Sequence, residues 1–454
     1  MNELTARFMT AAGEAPESVA QATWSTHVRI ERALDRGYLT RPLFLTAAQR
    51  DLIRGPLAEL TALLWSLPER TGAGLDGFAA MCGASPRQRE AVLRTEDGVR
   101  FEVGRADLFW TGDRFQVLEM NLTSATGGTD VGEVCRAMLH MPEVSAFVAR
   151  EGLGYVDPMP RLAAVLRAAC ERAGAGDRPR IVLAYWPDGA APTKRTIHLV
   201  AAMLADRGLD VIACGLDELR HVDDAVVLDG RPVDVVHRFF VIEDVDVPGG
   251  WDLVEPLLRA HERGRIRVVA PFSAELCGSK AALALLWQPS VRDRLSERER
   301  ALVADLVPWT GRLRPAVTTE DGTTVPAVDH CRRHRADLVL KPAMLQGGAG
   351  VVMGNQTTDA EWSAAVESGL RADYVVQRHV AAAPETFLEG WPRRPVRRTV
   401  NLGVHVIGGG YAGLVARAAR ADAPGIVSLG LGGALLGCCF EPVAAAPDSG
   451  SPSG

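Results

Sequence analysis

The stretch "LVLKPAMLQGGAGVVMG", residues 338 to 354, combines an apolar strand, a lysine at the strand's end and a glycine-rich turn. Glycines let backbone N–H groups approach an anion without interference from a Cβ atom, and the neighbouring lysine indicates that the anion is phosphate. The order differs from that of common phosphate loops, because GxxxxGK[ST] places its lysine after the glycines and GxGxxG requires no lysine. The stretch therefore predicts a phosphate site of another type, with a purely structural hairpin as the alternative.

The composition limits the class of protein. A chain of 454 residues predicts two or three packed units, and 47% hydrophobic with 23% charged residues is typical of a soluble globular protein. The net charge of −6 gives no reason to expect nucleic acid or a membrane as a partner. We see neither an apolar run of about 20 residues nor a secretory signal. The eight cysteines lack metal or redox spacing, so we expect reduced thiols and a cytoplasmic protein.

The hydrophobic pattern changes along the chain. The first hundred residues have apolar side chains mainly at helical spacing, including a helix predicted to start at Ser85-Pro86. Strand signals begin near residue 100. Strands and helices then alternate from about residue 160, which favours a small doubly wound parallel sheet. Residues 335–437 resemble a second, more antiparallel α/β unit, and the Pro/Gly/Ser-rich end predicts a disordered tail.

A second polar segment, "VLEMNLTSATGG" (117–128), ends a predicted strand with Glu119 and Asn121 on one side, since strand side chains alternate. A carboxylate and an amide oxygen suit Mg²⁺, which commonly takes one or two protein ligands plus phosphate oxygens. The alternative is a strand end with a turn-forming asparagine. The hydroxyls and N–H groups of residues 123–128 suit a substrate carboxylate.

Three other segments carry single candidates. Lys280 follows Gly278-Ser279 at a predicted helix start, where it reaches a phosphate or is a solvated first-turn lysine. The strand "YVVQRHV" (374–380) exposes backbone groups to an adenine edge or is a core strand. Arg417 precedes a second glycine-rich segment, "SLGLGGALLG" (428–437), and is either a surface arginine or a stabiliser of a tetrahedral anion.

In this order the motifs resemble the ATP-grasp superfamily, and more narrowly the eukaryotic-type glutathione synthetases, whose fold is circularly permuted. The segments "GRADLFW" (104–110) and "VVHRFF" (235–240) extend the resemblance, which covers about residues 100 to 440. It implies an α/β fold of permuted ATP-grasp type with an inserted, small doubly wound α/β substrate domain. The implied domains are a helical N-terminal region at 1–100, a metal and substrate-loop part at 101–160, the substrate domain at 161–275, a nucleotide-binding and lid part at 276–440, and a disordered tail at 441–454.

The resemblance also implies roles for individual residues. The implied ATP-binding residues are Lys280, Lys341, Gln346, Gly347, Gly348, Gly350, Val376, Gln377 and Arg378. The implied metal ligands, for two Mg²⁺ ions, are Glu119, Asn121 and Gln346. The implied substrate-binding residues are Arg105, Ser124, Ala125, Thr126, Arg238, Gly432 and Gly433, and the implied catalytic residues are Arg417 and Lys341.

The chain departs from the family at three points. Gln346 stands where the family has a glutamate, Gln377-Arg378 stands where an acidic residue is usual, and the substrate loop is one residue shorter before its glycines. We therefore do not carry glutathione over as the product.

The implied activity is that of an ATP-dependent carboxylate–amine ligase that joins small amino-acid, γ-glutamyl or peptide substrates through an acyl phosphate. By the same resemblance we expect a homodimer. An ATP-binding regulatory protein of the same fold that does not ligate is the main alternative. A dinucleotide-dependent oxidoreductase and an α/β hydrolase are disfavoured, because GxGxxG and GxSxG are absent.

Overall fold

The computed structural model describes residues 2–13, 37–96, 98, 103–176, 178–222, 225–390, 394–423, 426–427 and 434–443. The helices are α1 Glu3–Gly13, α2 Ala47–Trp65, α3 Leu67–Thr71, α4 Gly74–Cys82, α5 Pro86–Thr95, α6 Val131–Met138, α7 Pro142–Arg150, α8 Pro158–Arg172, α9 Ala191–Ala205, α10 Gly250–Glu262, α11 Ser273–Gly278, α12 Lys280–Leu285, α13 Pro289–Arg292, α14 Glu297–Leu306, α15 Ala327–Arg333 and α16 Asp359–Arg371. The strands are β1 Leu43–Phe44, β2 Val103–Trp110, β3 Phe115–Asn121, β4 Leu153–Gly154, β5 Arg180–Tyr185, β6 Asp210–Gly215, β7 Arg220–Val222, β8 Ala225–Leu228, β9 Arg231–Pro232, β10 Val235–Phe239, β11 Arg267–Val269, β12 Thr310–Arg312, β13 Ala316–Thr318, β14 Thr324–Pro326, β15 Leu338–Pro342, β16 Val352–Met353, β17 Tyr374–Arg378, β18 Glu385–Glu389, β19 Arg394–Ile407, β20 Gly410–Arg420, β21 Leu435–Gly437 and β22 Cys439–Pro442.

The largest sheet joins two parts of the chain that are distant in sequence. Its strand order is β21-β20-β19-β2-β3, and β18 pairs with the outer half of β19. The strands predicted to begin near residue 100 are β2 and β3, which pair antiparallel with each other, and β2 also pairs antiparallel with β19. We expected residues 335–437 to form one α/β unit. Strands β19 and β20, which lie in that range, belong instead to the sheet of β2 and β3, whereas β15 and β17 belong to another sheet, so the predicted second unit is corrected.

The predicted parallel sheet is confirmed. It has the strand order β11-β10-β5-β6, with every neighbouring pair parallel. The segment "AVVLDG" (225–230) lies in the region of predicted alternating strands and helices, but it forms β8 in a separate antiparallel sheet with β7 and β9. A strand this short, followed by the turn at Asp229-Gly230, pairs with its sequence neighbours and does not cross back to the parallel sheet.

A third sheet contains the stretch at 338–354. Its order is β12-β17-β15-β16, and all of its neighbours are antiparallel. Helix α16 packs on this sheet, and α12 lies against β12 and β17. Helix α12 starts where Ser279 accepts a hydrogen bond from the N–H of Ala282, so the cap places Lys280 in the first turn, as the sequence predicted.

Both ends of the chain were predicted in part. The described residues before position 97 contain the five helices α1 to α5, and Ser85 caps α5 as predicted. The strand β22 extends past residue 441, where the tail was predicted to begin, and residues 444–454 lie outside the described residues. No helix of the described residues is both long and apolar enough to span a bilayer.

Candidate functional site

One face of the largest sheet collects the polar residues predicted from "GRADLFW" and "VLEMNL". Directly opposed residues on neighbouring strands point to the same face, so the register decides which side chains meet. Arg105 lies opposite Asn121, Asp107 opposite Glu119, and Asn401 opposite Arg417. This face therefore brings together residues that the sequence separates by up to three hundred positions.

Two buried lysines approach this face from the neighbouring elements. Lys280 on α12 forms an ion pair with Glu119 (Nζ to Oε2, 3.0 Å) and donates to the carbonyl of Leu345 at 2.7 Å. Lys341 on β15 donates to the carbonyl of Leu118 at 3.0 Å and to the side chain of Gln377 at 2.5 Å. The two predicted phosphate-binding lysines are thus close to the predicted metal ligand Glu119.

The charge on Lys341 is sensitive to its surroundings. Burial lowers the pKa of Lys341 to about 8, Glu119 partly offsets that effect, and the positive charge of Lys280 adds to it. An anion such as phosphate would stabilise the protonated lysine.

The glycine-rich loop requires glycine for a conformational reason. Gly347, Gly348 and Gly350 all have φ between 70° and 85°, a region that residues with a Cβ rarely adopt. A Cβ on Gly350 would also lie 2.8 Å from the ring of Pro342. Gln346 belongs to the same loop, but it does not line the cavity described next, and its predicted metal role stays a prediction.

A cavity of about 310 Å³ lies between the largest sheet and the sheet of β15 and β17. Its size falls in the range of small-molecule sites. The charged and polar lining includes Asp107, Glu119, Lys341, Gln377, Asn401 and Arg417. The apolar lining includes Phe109, Leu118, Val339, Met353, Val380 and Ala381. A cavity lined by Lys341 and by apolar side chains can hold a nucleotide, with its phosphates near Lys341 and its base on the apolar surface.

The predicted adenine contact needs a correction. Val376, Gln377 and Arg378 lie in the middle strand β17, whose backbone pairs with β12 on one side and β15 on the other. These backbone groups are therefore engaged in the sheet and do not face a base. The chain leaves β17 at His379, and residues 379–382 line the cavity. Gln377 and Arg378 line the cavity as well, and the adenine contact itself stays a prediction.

Asp107 is the main site residue that sequence reasoning missed. Its carboxylate pairs with Arg105 (Nε to Oδ1, 2.8 Å) and with Arg417 (Nη2 to Oδ1, 2.5 Å). Burial opposes its ionisation, but the two arginines hold the pKa of Asp107 well below its ordinary value. A signal was present, because Asp107 follows Arg105 by two residues and so shares its face of the strand. Asn401, which accepts from Arg417 at 2.6 Å, had no local signal.

The predicted substrate loop (residues 123–128) lies beside the site, but the hydroxyls of Ser124 and Thr126 form hydrogen bonds within the protein. The Ser124 hydroxyl accepts from the N–H of Ala270 at 3.0 Å, and the Thr126 hydroxyl donates to the carbonyl of Thr123 at 2.8 Å. Neither residue, nor Ala125 between them, lines the cavity. Gly432 and Gly433 lie outside the described residues.

Arg238 is a second correction. Its guanidinium is fully buried, forms an ion pair with Glu275 (2.7 Å) and donates to the carbonyls of Ala270 and Phe240. The side chain also stacks over Phe272, 3.9 Å from the ring centroid. An arginine with these partners holds β10 to the residues after β11, so we no longer assign it to the substrate.

The residues fit a magnesium ion in part. Glu119 and Asn121 lie on the same face, with Asn121 Nδ2 3.5 Å from Glu119 Oε1, and rotation of the amide would present an oxygen beside the carboxylate. The Lys280 ammonium beside Glu119 shows that this carboxylate accommodates a cation. No group of three or more His, Cys, Asp or Glu side chains in the described segments could hold a metal. Such a site would therefore depend on phosphate oxygens for its remaining ligands.

Comparison with solved structures shows the fold. The chain is similar to a glutathione synthetase-like effector from Globodera pallida, with a TM-score of 0.57 and 11% identity over 94% of this chain and 97% of that one. A putative gamma-glutamylcysteine synthetase from Methylobacillus flagellatus KT aligns with a TM-score of 0.41 and 13% identity over 86% of each chain. Neither a protein-family model nor a curated protein matches the sequence. The fold is thus glutathione synthetase-like, while the circular permutation and the domain boundaries stay predictions.

Proposed function

We propose that this chain is an ATP-dependent carboxylate–amine ligase that joins small amino-acid or peptide substrates and releases ADP and phosphate. The observation that carries the proposal is the 310 Å³ cavity, in which Lys341, Glu119 and the glycines at 347–348 share a wall with apolar residues. This combination suits a nucleoside triphosphate, and the glutathione synthetase-like fold supports a ligase reaction.

The lysines would supply the first step. Lys341 would leave its carbonyl and amide acceptors, Lys280 would leave Glu119 and the carbonyl of Leu345, and both would bind the phosphates of ATP, while the 346–350 loop closes over the γ-phosphate. Glu119 and Asn121 would hold magnesium, which when bound neutralises phosphate charge. The γ-phosphoryl group would pass to a substrate carboxylate oxygen, and exclusion of water would protect the acyl phosphate from hydrolysis.

The arginines would act in the second step. An amine would attack the acyl carbon, the phosphate would leave, and Arg417 would stabilise the oxyanion of the tetrahedral intermediate. Arg417 is held towards the cavity by Asp107 and Asn401. Arg105 donates to Asp107 and to the carbonyl of Gly127, and it would have to leave these partners to bind a substrate carboxylate. We infer small-molecule substrates with anionic groups, without naming either of them.

The test is ADP release from Mg-ATP in the presence of every amino acid, singly and in pairs, with mass spectrometry of the products. The proposal expects ADP together with a species lighter by one water than the two partners combined. Binding of ATP without ADP release from any amino acid or small peptide would contradict it.

The second candidate is an ATP-binding protein of this fold that does not ligate. It is favoured by one observation: the hydroxyls of Ser124 and Thr126 are hydrogen-bonded inside the protein and do not line the cavity. ATP binding that no amino acid or peptide alters would support this candidate.

A further inference from the structure

A chain of three hydrogen bonds starts at Lys341 and crosses the sheet of β15, β17 and β12. The Lys341 ammonium donates to Gln377 Oε1 at 2.5 Å, and Gln377 Nε2 donates to the Thr310 hydroxyl at 2.9 Å. The Thr310 hydroxyl in turn donates to the carbonyl of Pro308 at 2.8 Å. Thr310 and Gln377 are directly opposed across β12 and β17, and both side chains are almost completely buried.

The direction of this chain fixes which atom of the amide faces the lysine. The Thr310 proton is used on Pro308, so the hydroxyl oxygen can only accept from the amide nitrogen of Gln377. The amide oxygen is thereby turned to Lys341. The second acceptor of Lys341 is the carbonyl of Leu118, which is also neutral. Lys341 is therefore held in place by two oxygens that carry no formal charge.

The other charges around Lys341 come from different elements. Glu119 on β3 and Asp107 on β2 attract it, whereas Lys280 on α12 repels it. The carboxylates have other partners, since Glu119 pairs with Lys280 and Asp107 with the two arginines. A carboxylate at position 377 would add a dedicated negative partner within hydrogen-bond distance of Lys341. The neutral amide leaves the ammonium charge available to a ligand.

We propose that Gln377 is a positioning residue that presents Lys341 to the phosphates of the nucleotide without neutralising it, with Thr310 setting the orientation of the amide. This inference rests on the proposed nucleotide site. The neutral side chain at 377 then has a specific consequence: the affinity for the nucleotide depends on phosphate charge more than on base contacts.

The experiment is to measure the binding of AMP-PNP with Mg²⁺ and of adenosine by calorimetry and ligand-observed NMR. In Gln377→Glu the new carboxylate would pair with Lys341, and we expect AMP-PNP to bind about tenfold more weakly while adenosine affinity stays within about twofold. Thr310→Val removes the acceptor of the amide and is expected to weaken AMP-PNP binding less, and Thr310→Ser, which keeps the hydroxyl, restores wild-type affinity.

A matched control separates this effect from a loosened sheet. Val366 is buried in α16, which packs on β15 and β17, so Val366→Ala destabilises the same sheet without touching the hydrogen-bond chain. We expect it to preserve the ratio of AMP-PNP to adenosine affinity. If Gln377→Glu leaves that ratio unchanged while the wild type binds AMP-PNP, the role of Gln377 is wrong and the nucleotide site stands. If the wild type does not bind AMP-PNP, the proposed function fails and the inference fails with it.

Discussion

The proposed site has two parts: a nucleotide half around Lys341, and an acceptor half around Arg105, Arg417 and the loop at 123–128. The two halves hold their cations in opposite ways. In the nucleotide half, Lys341 rests on two neutral oxygens beside an open cavity. In the acceptor half, Arg105 and Arg417 share the carboxylate of Asp107. The Lys341 ammonium thus has only neutral acceptors. The arginines of the acceptor half are paired with a carboxylate, and the Ser124 and Thr126 hydroxyls are hydrogen-bonded within the protein.

The difference indicates how each half would receive a ligand. At Lys341 a phosphate needs only to replace a carbonyl and an amide oxygen, whereas at Lys280 it must also compete with the Glu119 carboxylate. A substrate carboxylate must compete with Asp107 for the arginines, and a charge-assisted bond costs more to exchange than a neutral one. We therefore expect the nucleotide half to bind its ligand independently and the acceptor half to require rearrangement.

The largest expected effect comes from removing the positive charge of Lys341. Lys341→Ala deletes the ammonium and leaves the oxygen of Gln377 without its donor. We expect AMP-PNP affinity and ADP release to fall by about 100-fold or more, since the lysine stabilises phosphate charge in a buried site. Calorimetry and an ADP-release assay measure these, and circular dichroism verifies the fold. Full retained activity would remove Lys341 from the mechanism.

The next variant addresses the acceptor half. Asp107→Asn keeps the size of the side chain but removes the charge shared by Arg105 and Arg417, so both would be left buried with weaker partners. We expect a loss of about 3 kcal/mol in the free energy of unfolding, as is typical when one member of a buried ion pair is removed. AMP-PNP affinity should stay the same or increase, because the cavity loses a negative charge.

Thermal unfolding and calorimetry on one Asp107→Asn sample give both values. If AMP-PNP affinity fell as steeply as in Lys341→Ala, the two halves would not be separable, and the comparison would be wrong. The control is Glu59→Gln, since Glu59 pairs with Arg298 at an exposed surface, where such pairs contribute little to stability.

The sequence predicted the nucleotide half better than the acceptor half, for a physical reason. Lys341 with its glycines and Lys280 with its capping serine are local patterns, because strand, turn and helix start are set by neighbouring residues. The role of Arg238 depends on Glu275 and on carbonyls after β11, which no local pattern encodes. Asp107 was readable from strand alternation, but its link to Arg417 required the register between β2, β19 and β20.

A smaller effect is expected at Gly403, which lies opposite Asp107 on β19. A Cβ there would lie 2.7 Å from Cδ of Arg105, so Gly403→Ala would displace that arginine while Arg417 keeps its pair with Asp107. We expect amino-acid-dependent ADP release to fall about tenfold, on the scale of one lost charge-assisted contact, with AMP-PNP affinity unchanged. The control is Gly55→Ala in α2, where nothing lies within 4 Å of the added Cβ. Equal losses in both variants would mean that Arg105 plays no part.

The smallest expected effect concerns Glu243, a carboxylate after β10 whose oxygens are both buried and have no hydrogen-bond partner among the described residues. Burial, followed by the negative charge of Glu275, raises the pKa of Glu243 to about 8 from 4.5. The folded state therefore keeps a proton that the unfolded state releases between these two values. Stability should consequently fall as pH rises through that window.

Gln cannot ionise, so Glu243→Gln should match the wild type near pH 5 and melt about 2 °C or more above it at pH 8. The measurement is Tm against pH, with the exposed Glu297→Gln as the control variant. Parallel pH curves for Glu243→Gln and the wild type would show that Glu243 has a partner in solution.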